Sequence, residues 1–311
     1  MSIEALKTAF EGIRKSSNCS LLLLKIKTFK ETETKYYSRQ IQLEPASSMT
    51  EFIEELTGGY LSAGKNSLDY FSAVADYDGT ASATTIYRLE KDNPLIANEY
   101  ESFLTAVANP DVEADAFSFT SAYVLKCSIV YDNDLVPVKL VSMQNPVTRL
   151  KQKYRLVNPS GKFSPMTASI LTLRTSVDVV ILRDKVYFLT LAGENLFNMA
   201  RAYKTVCRHA VSEVESAGIL SSIGSFRPIA ESGHNPRRFV SFDRERLNML
   251  KDTKIRKEMA ARFSIPLDDE NRFDTSIEGA AERIVKLLCK KGMVDPFNHV
   301  AVEVSGAKQW Q

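Results

Sequence analysis

Arg149, Lys151, Lys153 and Arg155 recur at every second position. If that segment is extended, the spacing lines four cations along one face like a rail. A second set, Arg237, Arg238, Arg244, Arg246, Lys251, Lys254, Arg256 and Lys257, gathers around and along one helical stretch. Guanidinium and ammonium groups at this density attract backbone phosphates through charge and counterion release, which gives affinity without reading base sequence. Tyr154, Phe239 and Phe242 lie beside these charges and offer faces for base stacking, although aromatics next to charges more often belong to the core. The two competing readings of the same residues are an ordinary solvated basic face and a surface that docks an acidic or membrane-proximal partner.

The chemistry of an enzyme is harder to find. Gly161-Lys162-Phe163-Ser164 resembles part of a phosphate loop, but Leu156 stands where that loop needs glycine and Phe163 where it needs a hydroxyl. Glu33-Thr34-Lys35 has the spacing of half a nuclease metal site, yet no aspartate lies upstream, so polar strand-edge residues are the simpler reading. Three histidines are present, His209, His234 and His299. Only His234 sits in a suggestive setting, the loop Ser232 to Arg238, where a titratable ring and two guanidinium groups share a flexible segment. Asp268-Asp269-Glu270 fits a helix N-terminus better than a metal site. Cys19, Cys127, Cys207 and Cys289 form no CxxC pair, and the i,i+2 spacing of Cys207 and His209 points them apart on a helix. Four reduced, buried thiols are therefore expected, with no metal site, no cofactor and no catalytic residue. A metal-dependent nuclease with its site scattered through the sequence is the alternative.

Composition sets the frame for these residues. The chain has 311 residues, 44% hydrophobic and 25% charged, with a formal net charge of +2. That composition is ordinary for a globular protein able to bury a core, and the length favours two domains. The first 15 residues lack an apolar leader core, and the longest apolar run, Leu21 to Leu24, is too short to span a bilayer, so a cytoplasmic location is expected. The near-neutral total conceals an asymmetry. Residues 1–130 carry 12 basic against 18 acidic side chains, whereas Lys139 to Arg262 carry 22 against 10.

Hydrophobic periodicity predicts a helix from Ile3 to Arg14, strands from Ser20 to Phe29 and Tyr37 to Leu43, and a helix from Ser48 or Thr50 that stops at Gly58-Gly59. Ala63 to Thr84 shows no firm pattern. A strand at Thr84 to Leu89 and a helix from Asn93-Pro94 to Ala108 follow, then strands at Phe117 to Tyr131, Val136 to Met143 and Tyr154 to Val157. Val177 to Leu182 and Val186 to Leu191 flank Arg183-Asp184-Lys185 as a hairpin. A helix from Asn195 to Gly218, a loop from Ser221 to Asn235, a basic helix from Asp243 to Arg262 and an amphipathic helix from Ser276 to Lys291, with Ile277 inward, lead to a last strand from His299 to Val304. The fold class is α+β, with mixed or antiparallel sheets and packed helices. The boundary is expected near Gln144 to Lys153, giving an acidic domain over 1–148 and a basic one over 149–311.

The hairpin with its Arg183-Asp184-Lys185 turn, Asn195-Leu196-Phe197, Phe263-Ser264-Ile265-Pro266-Leu267 and the ending Gly306-Ala307-Lys308-Gln309-Trp310 resemble the KwaB-like family of the Kiwa anti-phage defence system. The resemblance covers mainly residues 150–311 and contains no catalytic signature. It implies a cytoplasmic, DNA-binding effector that forms a homodimer or higher homo-oligomer. It also implies a KwaA-like multi-pass membrane partner, which would bring the protein to the inner face of the plasma membrane. No active-site residue is carried over from it.

Overall fold

A computed structural model describes residues 2–29, 33–64, 67–110, 120–144, 147–148, 156–157, 164–165, 170–290, 292–294 and 301–303. It has the expected α+β class, with an eight-stranded mixed sheet and a set of helices. By its contacts the chain divides into Met1–Asp76 with Ala83–Met199, and Tyr77–Ser82 with Ala200–Gln311. The expected boundary at 148/149 falls inside the first of these units. The reason is the hairpin, whose strands pair into the sheet built from the earlier residues.

The first unit holds β1 (Cys19–Phe29), β2 (Glu33–Ile41), β3 (Ala73–Asp76), β4 (Thr85–Glu90), β5 (Ala122–Tyr131), β6 (Asp134–Ser142), β7 (Val179–Leu182) and β8 (Lys185–Phe188). Their order is β2-β1-β5-β6-β7-β8-β4-β3, antiparallel throughout except for the parallel pair β3-β4. The β7-β8 turn needs only Arg183 and Asp184, since Leu182 already faces Lys185, and Arg183 takes a positive φ of 55°. Short pairs, Val147–Thr148 with Ile170–Leu171 and Leu156–Val157 with Ser164–Pro165, stand outside this sheet.

Both faces of the sheet are covered, as the near-continuous apolar runs of β5, β6 and β7 require. On one face α1 (Ile3–Lys15) and α2 (Ser47–Leu61) bury Leu6, Phe10, Ile13, Leu56 and Tyr60 against Leu21, Tyr123, Leu125 and Val138. Side chains of this size contribute about 1.5–3 kcal/mol each when fully buried. The α2 helix continues through Gly58-Gly59 because Tyr60, 4% exposed, packs on Phe10 and bonds through its hydroxyl to the Val177 backbone. That packing outweighs the roughly 1 kcal/mol cost of an interior glycine. The other face takes α3 (Ala97–Ala108) and a 3₁₀ segment, Leu191–Phe197, whose Phe197 ring meets Tyr100, Phe103 and Phe188 with centroids 6.0–6.2 Å apart.

The second unit is helical: α4 (Met199–Ser216, which enters it at Ala200), α5 (Ile223–Ala230), α6 (Asn235–Arg238), α7 (Arg244–Met249), α8 (Thr253–Arg262) and α9 (Ala280–Leu288). A two-stranded pair, β9 (Gly292–Val294) and β10 (Ala301–Glu303), completes it. The predicted loop from Ser221 to Asn235 contains α5, because Phe226 and Ala230 are fully buried and override a loop-like composition. The predicted helix from Asp243 to Arg262 is two helices, each started by an aspartate that accepts backbone N–H bonds. Asp243 caps α7 through Glu245 and Arg246, and Asp252 caps α8 through Lys254 and Ile255. The last helix begins at Ala280, so Ile277 is 52% exposed rather than inward.

Cysteine pairing differs from expectation as well. Cys207 and Cys289 are free and buried, but Cys19 and Cys127 are joined as a disulfide across β1 and β5. They face each other directly, beside the Asn18-Ser128 pair that carries the backbone bond, with Cα atoms 4.2 Å apart. Their sequence separation of 108 hid the pairing. Closing so long a segment restricts the unfolded chain, so reduction is expected to lower unfolding free energy by about 2–4 kcal/mol. Denaturant melts with and without dithiothreitol measure this, and a Cys19→Ser/Cys127→Ser variant should show no dependence on reductant.

Candidate nucleic-acid interface

Of the residues that sequence places at a polyanion surface, Arg149, Lys151, Lys153 and Arg155 lie outside the described residues. The other eight belong to the second unit, where folding puts most of their donors to internal use; Lys251, for one, donates to Asn248 Oδ1 at 2.9 Å.

Arg256 is the extreme case. Only 6% exposed, it donates through Nε to Asn271 O (2.6 Å), through Nη1 to Leu250 O (2.8 Å) and Lys251 O (3.4 Å), and through Nη2 to Thr253 Oγ1 (3.3 Å). It ends α7 and joins the start of α8 to the turn at Asn271, using the planar fork of donors that only arginine offers. Arg237 ties the separate segment Tyr77–Ser82 to α6: Nε donates to Tyr77 Oη (3.0 Å), Nη2 to Thr80 O (3.3 Å), and the guanidinium carbon lies 5.8 Å from the Tyr77 ring centroid. Tyr77 in turn stacks on Tyr203 of α4 and bonds it hydroxyl to hydroxyl. Gly79, at φ 77°, passes so close to this segment's anchor that a Cβ would collide with the Arg237 carbonyl oxygen.

Arg238 donates to Asn235 Oδ1 at 2.7 Å. Arg244 forms a two-pronged pair with Glu213, with Nε···Oε2 2.9 Å and Nη2···Oε1 2.8 Å, and lies 5.9 Å from the Phe242 centroid. That hydrogen-bonded carboxylate holds the guanidinium's pKa above its usual value. Arg246 donates to Leu287 O (3.0 Å) and pairs with Asp243, whose carboxyl is held below the ordinary range: burial opposes its charge, but backbone N–H bonds from α7 and the Lys290 ammonium outweigh that. Of the stacking candidates, Phe239 is core, 1% exposed, and Phe242 is partly buried against it at 5.9 Å. Tyr154 lies outside the described residues.

Lys254 and Lys257 are different. Both are exposed on the first two turns of α8, three residues apart on one side, and neither has a hydrogen-bond or ion-pair partner for its ammonium among the described residues. The helix macrodipole adds positive potential at that end. A second exposed pair escaped sequence selection: Lys204 and Arg208, four apart on α4, line a small cleft of about 130 Å³ with Cys207, Glu231 and Pro236. The Cys207 thiol is pushed up to about 12, first by burial and then by Glu231, and it donates to Ala230 O.

The remaining sequence candidates resolve quietly. Glu33 and Lys35 pair with each other at 3.6 Å on edge strand β2. His234 is exposed just before α6. Asp268 organises a turn, accepting from the backbone of Glu270 and Arg272 and pairing with the Arg272 side chain, rather than starting a helix. Gly161, Lys162 and Phe163 lie outside the described residues. Among the described residues no group of three or more His, Cys, Asp or Glu is arranged to hold a metal ion, and no helix is long and apolar enough to cross a membrane. Comparison with protein-family models, curated proteins and solved structures found no match.

This division of labour predicts opposite mutant behaviour. Arg256→Ala should cost about 3 kcal/mol of stability, since it leaves buried carbonyls unpaired, while Lys254→Ala and Lys257→Ala should stay within about 0.5 kcal/mol of wild type. Equilibrium denaturation of the three variants measures the contrast.

Proposed function

We propose that the chain binds DNA through phosphate contacts, without reading base sequence, and that α8 supplies the described part of the contact. The observation that carries this reading is the pair Lys254 and Lys257, exposed and unpaired at the positive end of α8 while neighbouring arginines are occupied. Ammonium groups on flexible stems serve phosphates as point charges and give little base selectivity. The alternating Arg149, Lys151, Lys153 and Arg155 belong to the same proposal on spacing alone.

The resemblance to the KwaB-like family extends the reading to a biological setting: an anti-phage effector that self-associates and acts beside a KwaA-like membrane protein, with any membrane attachment made through that partner. Occlusion of DNA then requires no catalytic residue of this chain. No observation on the described residues favours the nuclease alternative over binding.

Titration of duplex DNA against salt tests the proposal. Affinity should fall linearly on a log–log plot, and Lys254→Glu/Lys257→Glu should weaken binding about equally for unrelated sequences while reducing the salt slope by about 2. A salt-independent affinity, or a double variant that binds like wild type, would overturn it. Arg237→Glu serves as a control for folding, because its effect should appear first in thermal stability.

A further inference from the structure

The face of the first unit's sheet that carries α3 also carries a row of polar side chains. Lys126 of β5 and Lys139 of β6 are direct cross-strand partners, so their side chains rise from the same face. On the other side of Lys126, Ser20 of β1 is its partner in register. Ser20, Lys126 and Lys139 thus form a straight row across three strands, spaced about 4.8 Å from strand to strand. Each is half-buried.

The row is at odds with its surroundings. Like charges directly opposite one another destabilise a sheet, and half-burial aggravates the repulsion. The next row along the strands is Leu22, Val124, Val141 and Val179, each at most 1% exposed, and Ile181 beside Lys139 is 2% exposed. Among the described residues no carboxylate, carbonyl or hydroxyl pairs with either ammonium, and the Ser20 hydroxyl has no partner. The strain registers on Lys139, whose pKa is lowered by burial and then by the Lys126 charge, with no acidic group offsetting them. Two ammoniums and a hydroxyl thus stand on one face at adjacent register positions, with nothing to receive them among the described residues.

We propose that Ser20, Lys126 and Lys139 form a binding site for a small oxyanion of the phosphate class. A divalent oxyanion between the two ammoniums would convert their repulsion into attraction and accept the serine O–H. The site is independent of α8, and its failure would leave the DNA-binding reading untouched.

The test uses the full chain, with inorganic phosphate and a nucleoside monophosphate as separate probes at ionic strength matched with chloride. Amine acylation followed residue by residue by mass spectrometry should slow selectively at Lys126 and Lys139, by about tenfold when the probe is at about ten times its dissociation constant. Exposed lysines outside both proposed sites, such as Lys15, should be unaffected. Protection by both probes, or by either one, supports a phosphate-group site. Labelling that neither probe changes overturns it. Thermal melts of Lys126→Met, Lys139→Met and the double variant give a second reading: the phosphate-specific rise in Tm should vanish, and Lys126→Met in phosphate-free buffer should melt no lower than wild type. A phosphate-specific rise that persists in the double variant would also overturn the proposal.

Discussion

The sheet is one body because β7 pairs with β6, and that pairing is anchored by a single buried carboxylate. Asp178, 8% exposed, immediately precedes β7. Its amide donates to Val141 O at 2.9 Å, its Oδ2 accepts from Met143 N at 2.7 Å, its Oδ1 accepts from the Thr190 hydroxyl, and its carbonyl accepts from Leu189 N. Those bonds fix the start of β7 against the end of β6 and the exit of β8 at once. Without this junction, β2-β1-β5-β6 and β7-β8-β4-β3 are two smaller sheets, and the buried strand β7 becomes an open edge. A charged group in such a place is tolerated only when it is hydrogen-bonded, and here each carboxylate oxygen accepts one bond, from Met143 N and from the Thr190 hydroxyl. The hydroxyl of Tyr60 makes a neighbouring contact with Val177, which brings α2 onto the same junction.

Arginine and lysine have parted company in the helical unit, and the cause is chemical. A helix end leaves carbonyls without partners, and a guanidinium reaches several of them in one plane. Arg256 serves the end of α7 in this way, and Arg246 reaches Leu287 O near the end of α9. An ammonium has no such fork and is hydrated more strongly, so Lys254 and Lys257 remain in solvent. A surplus of basic residues in sequence is therefore not a measure of surface potential. Most of the arginines counted between Lys139 and Arg262 and described in this unit have internal carboxylate or carbonyl partners.

The α+β class, the first helix, β1, β6 and the β7-β8 hairpin were legible because each has a strong local period, and local period survives packing. Others depended on distant residues. The α2 helix passes two glycines because Tyr60 finds Phe10, and α5 forms through Pro228 and Gly224 because Phe226 is buried. The split between α7 and α8 did have a local signal, the second aspartate cap at Asp252, which a continuous run of basic residues masked. The boundary expected at 148/149 follows the change in charge composition, whereas strand pairing continues to β8 and places that point inside one compact unit. For the candidate site, residue type was readable but commitment was not. Nothing in the sequence near Arg237 announces Tyr77, and nothing near Cys19 announces Cys127.

The lysines of the two units illustrate how backbone context changes the meaning of one side chain. On α8, helical spacing sends Lys254 and Lys257 outward with full hydration, where each interacts with an anion through solvent and is screened over about 8–10 Å. On the sheet, pairing fixes Lys126 and Lys139 opposite one another and apolar neighbours remove part of their water. Their repulsion is less screened, and so is their attraction for any anion that reaches them. A surface of the first kind suits a long polyanion met in many registers. A row of the second kind suits a compact anion, because strand pairing sets its three residues side by side over a short span. Unpaired charge is therefore a sharper guide than total charge: it marks Lys254 and Lys257 within the basic stretch, and Lys126 within a stretch that composition makes acidic.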